Sequence, residues 1–346
     1  MKSFINDRNK LKMPAGAVML MNYIHEFKGR QELYTKQSPQ VLTVLIERAL
    51  IESAESSNKI EGVTVERARL KPLILQNSKP KDRSEEEVVG YRKALDYIHK
   101  NYSSIEITPD TIKKLHMLSQ AGAWDAGKWK EKNNDIIKKY PDGRSEIIFT
   151  PVSASETPEA INNLCRAYSH CVEQQEYPSL YAVACLILDF LCIHPFRDGN
   201  GRVSRLLTLL ALYKSGFSVG KYISLERIIE ESKETYYEVL NKSSQGWHEA
   251  KHDVESWLFY FLGIVLAAYR EFEKRVGNVK AARGAKTDMI KNVIDLIPGE
   301  FTVADILKEC PSVSIDTVRG YLKKLQAQGK VKCVVKGKYS RWKLIR

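Results

Sequence analysis

From Pro39 the apolar positions of QVLTVLIERALIESAESSNKIEG fall near helical spacing, Val41, Leu42, Leu45 and Ala49 leading into Glu52 to Ala54. Gly62 follows as a C-cap, so one helix ends near Glu61. Helical patterns also cover residues 84–101, with acidic Glu85 to Glu87 at the positive end, and residues 109–120. Between Gly127 and Pro151 the pattern changes. Two short strand-like runs, at residues 134–137 and 146–149, flank the turn sequence Tyr140-Pro-Asp-Gly-Arg144 and predict a hairpin. Thr157-Pro158 opens another helix, and SLYAVACLILDFLC, residues 179–192, is apolar nearly all round, as a helix at a bundle centre must be. Residues 203–213, 230–243 and 252–275 continue as helices. The stretch 278–286, NVKAARGAK, is small and basic and reads as a linker. Beyond it the order is helix (288–297), strand (300–303), helix (304–309), helix (315–328) and a two-stranded ribbon (330–345), the order of a winged helix-turn-helix. The expected fold class is an all-α helical bundle with a small β-hairpin, plus a C-terminal winged helix-turn-helix domain. The expected domains are an N-terminal helical region at 1–110, a core at 111–277 and the winged domain at 287–346.

Composition adds limits. With 346 residues, 43% of them hydrophobic, the chain is long enough to bury a substantial core. No stretch reaches the apolar length of a membrane span, and residues 1–23 lack the apolar core and cleavage site of a secretory leader, which implies a cytoplasmic protein without a membrane partner. The six cysteines, Cys165, Cys171, Cys185, Cys192, Cys310 and Cys333, include no CxxC pair and read as buried thiols. Charge is uneven: residues 279–346 carry +9 of the formal +12, so the basic character belongs to the tail.

The segment His194 to Arg205, HPFRDGNGRVSR, carries the chemistry. The buried helix before it delivers His194 to a rigid position, and Gly199-Asn200-Gly201 turns the chain into the next helix. Glycines admit close approach of an anion, and a helix N-terminus offers free N–H groups and positive potential, so this is an anion cradle. Arg202 and Arg205, one turn apart, suit bidentate contacts to a polyphosphate. Asp198 is the one carboxylate in the loop, enough for a Mg²⁺ that takes its remaining ligands from phosphate and water. His194 has the side chain suited to accept a hydroxyl proton near neutral pH. Pro195 and Phe196 anchor the loop.

These residues match HxFx(D/E)GNGRxxR position for position, and the chain therefore resembles the Fic family. Chance agreement at eight specified positions has a probability of roughly 10⁻¹⁰. The resemblance implies a Fic-type helical bundle that binds ATP with Mg²⁺ and moves AMP to a Ser, Thr or Tyr of a protein. In that reading His194 is the base and Asp198 the metal ligand. Arg197, Asp198, Gly199, Asn200, Gly201, Arg202 and Arg205 bind nucleotide, with Asn200 and the glycine amides at the α- and β-phosphates and Arg202 at the β/γ end. The hairpin, about 133–150, becomes the flap on which a target protein, or another copy of the chain, docks by strand addition; an ordinary surface hairpin has the same sequence signature. Homodimers are common among relatives.

Ser57-Asn58-Lys59-Ile60-Glu61-Gly62 resembles the family's inhibitory motif, (S/T)xxxE(G/N), on a helix at about 40–62. Ser57 and Glu61 share a helix face, and the family pattern pairs Glu61 with Arg205. Tyr236 and Tyr237 resemble a tyrosine pair near the adenine pocket, although tyrosines at helical spacing also serve packing. Seven residues beyond Tyr237, where some relatives have asparagine, this chain has Ser244. In the tail, Ser314 caps a recognition helix with Thr317, Arg319, Lys323 and Lys324 on its polar face, and Lys336, Lys338 and Arg341 flank the ribbon tip. Those residues suit DNA, a protein-docking wing or simply a solvated basic face. Two other functions remain open: a DNA-binding regulator whose Fic fold senses nucleotide, and a transferase with another phosphate-containing donor.

Overall fold

The computed structural model describes residues 1–4, 13–37, 39–120, 122–139, 143–280, 285–297, 299–310, 313–335, 337 and 340–345. The helix expected at 179–192 is α7 (Ser179–Ile193), and every residue from Leu180 to Ile193 is buried. An all-apolar surface is stable only where neighbours cover it on every side, and each large side chain so covered contributes about 1.5–3 kcal/mol. The cover comes from α6 (Thr157–Glu173), α8 (Asn200–Lys214), α10 (Lys233–Ser244) and α11 (Val254–Lys280). Asp189, the polar exception on α7, is completely buried and accepts from Ser3 Oγ and Trp247 Nε1, both at 2.6 Å. Burial pushes its carboxyl above the usual range, against the pull of those donors.

Outside this centre lie α2 (Pro39–Ile60), α4 (Arg83–Asn101) and α5 (Pro109–Ser119). Local signals set their ends. Asp82 accepts from the Glu85 N–H at the start of α4, and Thr108 accepts from the Thr111 N–H with Pro109 in the first turn of α5. Helix α2 ends at Ile60, and Gly62 takes the left-handed conformation at φ 85. Three helices lie outside the sequence-based expectation: α1 (Ala15–Gln37), α3 (Arg67–Leu75) and α9 (Leu225–Glu231). Helix α3 persists through Pro72 because Leu70, Leu73 and Ile74 are buried on it. In α1 the apolar residues fall on both sides, Ala17, Met21 and Ile24 buried and Val18, Met19 and Leu33 exposed, so no clean stripe marks it.

The hairpin consists of β1 (Ile136–Lys139) and β2 (Ser145–Phe149), antiparallel, with an irregularity between Ile136 and Ile137. Its tip, 140–142, lies outside the described residues. Helix α11 runs to Lys280 and α12 (Ala285–Leu296) begins soon after, so the expected linker at 278–286 is helical at both ends; 281–284 lie outside the described residues. The remaining elements are β3 (Glu300–Thr302), α13 (Val303–Glu309), α14 (Ile315–Ala327), β4 (Val331–Val335) and β5 (Arg341–Leu344). The three strands pair antiparallel in the order β3-β5-β4 around a core that includes Phe301, Val318, Leu322 and Trp342. Ser314 caps α14 through the Thr317 N–H. All six cysteines are free thiols, five of them buried. Among the described residues no helix is long and apolar enough to cross a membrane.

Helices α4 and α5 approach closely at Gly90, where an added Cβ would lie 2.7 Å from the Leu118 carbonyl oxygen. Because that neighbour is backbone, Gly90→Ala is expected to destabilise the protein by about 1–3 kcal/mol, measured by denaturant unfolding.

Candidate nucleotide site

The turn after α7 is built by three devices. His194 closes α7 in the left-handed region, φ 50 and ψ 61, and its N–H donates to the Phe190 carbonyl. Asn200 then folds its side chain back onto Phe196, accepting from the N–H at 2.9 Å and donating to the carbonyl at 2.8 Å. Gly199, at φ 78, makes the left-handed entry into α8. Phe196 anchors the loop from inside: it is fully buried, and the His116 ring stacks on it at 3.8 Å between centroids. The Gly127 N–H donates to His116 Nδ1, so Nε2 carries the hydrogen and donates to the Asp198 carbonyl at 3.1 Å.

Several donors surround this turn without an acceptor: Gln120 Nε2, Arg202 Nε and Arg205 Nη1 are buried and make no hydrogen bond. A Cβ at Gly199 would collide with the Gln120 amide, and one at Gly201 with the Glu61 carboxylate. The glycines therefore keep open a space lined by hydrogen-bond donors, which fits phosphate oxygens. Asp198 is exposed, and one of its carboxylate oxygens accepts from the Gly199 N–H at 2.6 Å. Among the described residues no group of three or more His, Cys, Asp and Glu side chains could hold a metal ion. A lone carboxylate beside an anion cradle fits Mg²⁺ held jointly with phosphate and water.

Arg205 is 3% exposed and is gripped by the end of α2. Its Nε donates to Ser57 Oγ, and its Nη2 to the Ser57 carbonyl and to Glu61 Oε1, each at 2.8 Å. Burial works most strongly against its charge, yet Glu61, Tyr91 and Tyr236 together outweigh burial and hold the guanidinium protonated more firmly than usual. Arg202, also buried, donates to Glu87 Oε2 at 2.5 Å and to Asn58 Oδ1 at 3.3 Å. Arginine with a protein carboxylate on one side and unused donors on the other can hold an anion without losing its support.

His194 borders a cleft with Glu61, Gly201, Arg205, Tyr236, Tyr237, Leu240, Asn241 and Ser244, closed from the flap side by Ile136, Ile148 and Phe149. Burial, helped by the positive charge of Lys130, lowers the His194 pKa to about 4, against the pull of Leu191, Glu61 and Asp198. The imidazole is therefore neutral near pH 7 and can accept a proton. Tyr236 is buried against Trp257 and Tyr260, a packing role with one edge on the cleft, whereas Tyr237 is 43% exposed at the rim.

The structure thus brings together His194, Gly201, Arg205, Ser57, Glu61 and both tyrosines. Arg197 is placed differently from the expectation. It donates to the buried Asp125 at 2.6 Å and lies over the Trp124 ring, outside the cleft lining, because that ion pair directs it away. The Asn200 amide is likewise committed to Phe196, so its share in the cradle is its backbone N–H. Gly62 shapes the end of α2 by its backbone rather than by contact with the cleft. Gln120, His116, Lys130, Glu87 and Asn241 escaped the sequence reading: they lie far along the chain in no recognisable spacing, and only the fold brings them to the loop.

The site thus lies in a helical domain and joins a turn lined by unused donors, a neutral histidine and a hairpin beside the cleft. Residues 106–212 match the sequence model of the Fic/DOC family, and the chain carries a domain of that family. It is 26% identical over 212 residues to a protein adenylyltransferase Fic of Nematostella vectensis, spanning 58% of this chain and 45% of that protein. It is 39% identical over 79 residues to a Fido domain-containing protein of Dictyostelium discoideum, spanning 21% of this chain and 54% of that one. The chain thus spans about half, or less, of these relatives. In fold it is similar to a Fic family protein from Desulfovibrio desulfuricans, with TM-score 0.63, 19% identity and 97% of both chains covered. A Fic domain containing signaling protein from Bacteroides thetaiotaomicron gives TM-score 0.63 at 19% identity, over 74% of this chain and 97% of that one.

Gly199→Ala tests the cradle. The left-handed backbone should cost about 1–2 kcal/mol in thermal unfolding, and displacement of Gln120 should abolish nucleotide binding in calorimetric titration.

Proposed function

We propose that this chain is a protein adenylyltransferase that moves AMP from ATP to a Ser, Thr or Tyr hydroxyl of a protein, and that Glu61 restrains it. The observation that carries the reading is a neutral His194 that shares a cleft with Arg205, whose Nη1 is buried and unused, with further unused donors on Arg202 and Gln120 around the turn that follows. The triphosphate lies over the α8 N-terminus, its oxygens taking those donors and the free N–H groups of the first turn. His194 removes the target hydroxyl proton, the hydroxyl oxygen bonds to the α-phosphorus, and the bond from that phosphorus to the bridging oxygen breaks to release pyrophosphate. Asp198, together with phosphate, would hold Mg²⁺, which would supply charge neutralisation on the leaving group. Tyr237, Asn241 and Ser244 border the nucleobase end, and the flap presents the target as an added strand.

The restraint is competition for one guanidinium. Arg205 spends its Nη2 on Glu61 and Ser57, and Glu61 lies over Gly201 where a phosphate oxygen belongs. ATP then binds in a pose unfit for attack. Under this reading the C-terminal unit is a winged helix, with Arg319, Lys323 and Lys324 exposed on α14 and Arg341 on β5, a basic face suited to DNA phosphate. Lys336 and Lys338, expected at the ribbon tip, lie outside the described residues. A pure nucleotide sensor has no need of a neutral base in the cleft, which favours the transferase.

With α-labelled ATP, Glu61→Gly should raise labelling of protein by about tenfold or more, and adding His194→Ala should remove it. Label arriving from γ-labelled ATP instead would point to phosphorylation, and none from either to sensing.

A further inference from the structure

The stretch between α5 and the flap runs along the catalytic loop, and one residue in it grips the loop on both sides of His194. The Lys130 N–H donates to the Pro195 carbonyl at 2.9 Å, and its ammonium to the Ile193 carbonyl at 3.3 Å. Its neighbours brace the same turn: the Trp129 ring packs on Phe196 at 5.0 Å between centroids, and Asn134 Nδ2 donates to the Phe196 carbonyl at 3.5 Å. The turn needs bracing, because a non-glycine residue at φ 50 costs roughly 1–2 kcal/mol.

Packing alone does not explain a lysine here. Lys130 is 5% exposed, and among the described residues no carboxylate lies within ion-pair distance of its ammonium. An unbranched apolar side chain of similar length would fill the space without the desolvation cost. That cost is visible as a pKa lowered to about 8 by burial, which still leaves the group mostly charged at neutral pH.

The charge has an identifiable recipient. The groups around the His194 side are Glu61 at the end of α2, Asp198 on its own loop, Arg205 on α8, Tyr236 and Tyr237 on α10, and Lys130; β1 and β2 contribute apolar Ile136, Ile148 and Phe149. Lys130 opposes protonation of the imidazole, while Glu61 and Asp198 favour it. A polyphosphate bound beside His194 adds further negative charge and would load the base with a proton before any hydroxyl arrives. The Lys130 ammonium, held on the Ile193 carbonyl, counters that effect.

We propose that Lys130 is a positioning residue for His194, clamping the left-handed turn from both sides and supplying the fixed positive charge that keeps the imidazole unprotonated beside a bound polyphosphate. The importance of an unprotonated imidazole rests on the transferase reading above; the clamp and the charge do not.

The activity test uses full-length Glu61→Gly protein with Lys130→Met or Lys130→Arg added. Lys130→Met should lower kcat about 10- to 100-fold with KM for MgATP nearly unchanged, and should move the acid limb of the pH–rate profile to higher pH, since without the cation His194 holds its proton more tightly. Lys130→Arg should restore much of both. Unchanged kcat and acid limb in Lys130→Met overturn the proposal. Should Lys130→Met fail to fold, Lys130→Gln, which keeps a donor and loses the charge, replaces it. NMR titration of the His194 ring with and without the nonhydrolysable analogue of ATP needs no transfer reaction. A higher midpoint in Lys130→Gln supports the inference even if AMP transfer is never seen, in which case only the transferase reading fails; an unchanged midpoint overturns the inference.

Discussion

The site turns on one buried cation. Arg205 lies in the second turn of α8, inside the bundle, where an uncompensated guanidinium would be prohibitively unstable. Its partners come from α2: the hydroxyl and carbonyl of Ser57 and the carboxylate of Glu61. The Ser57 contacts tie the arginine to the scaffold, while Glu61, 28% exposed on its side chain, is the replaceable part. Under the proposed restraint, a phosphate displaces the carboxylate without leaving the arginine bare, because the Ser57 contacts persist. On the buried polar face of α2, Ser57 serves Arg205, Asn58 accepts from Arg202 and Ser53 donates to Glu226.

The second buried arginine is supported by the same logic. Arg202 faces Glu87 from α4 and Asn58 from α2, so both helices reach the cradle through charge-assisted hydrogen bonds. The opposite wall consists of α5 and the segment after it, where His116, Lys130 and Asn134 hold the loop by hydrogen bonds to carbonyls and, for His116, by stacking on Phe196. Rigidity of the loop comes from these outer contacts, since its own residues include two glycines and a left-handed histidine. Preorganisation of this kind places donors before a ligand arrives and reduces the reorganisation that reaction would otherwise require.

Much of the site was legible along the chain because its recognition elements are local. His194, Asp198, Gly199, Gly201, Arg202 and Arg205 span just over three turns' worth of residues, and their mutual placement follows from a turn into a helix. The buried helix before them and the strand-turn-strand of the flap have equally local signatures. Helices α1 and α3 escaped notice for local reasons too: apolar residues on both sides in α1, and Pro72 within α3. The side chain of Arg197 shows the limit of motif reasoning, because its position is decided by Asp125 and Trp124, outside the motif.

The sequence by itself marked the candidate cradle, the candidate base and the candidate metal ligand, since each depends on spacing within one short segment. Only the tertiary structure decided which distant groups surround it. Ser57 and Glu61 reach Arg205, Glu87 reaches Arg202, and Lys130 brackets His194 because helix packing, rather than chain neighbourhood, brings them within hydrogen-bond range. The charge state of the histidine belongs to that second category. It follows from burial and from a lysine 64 positions away, and neither quantity has a signature in the order of the residues.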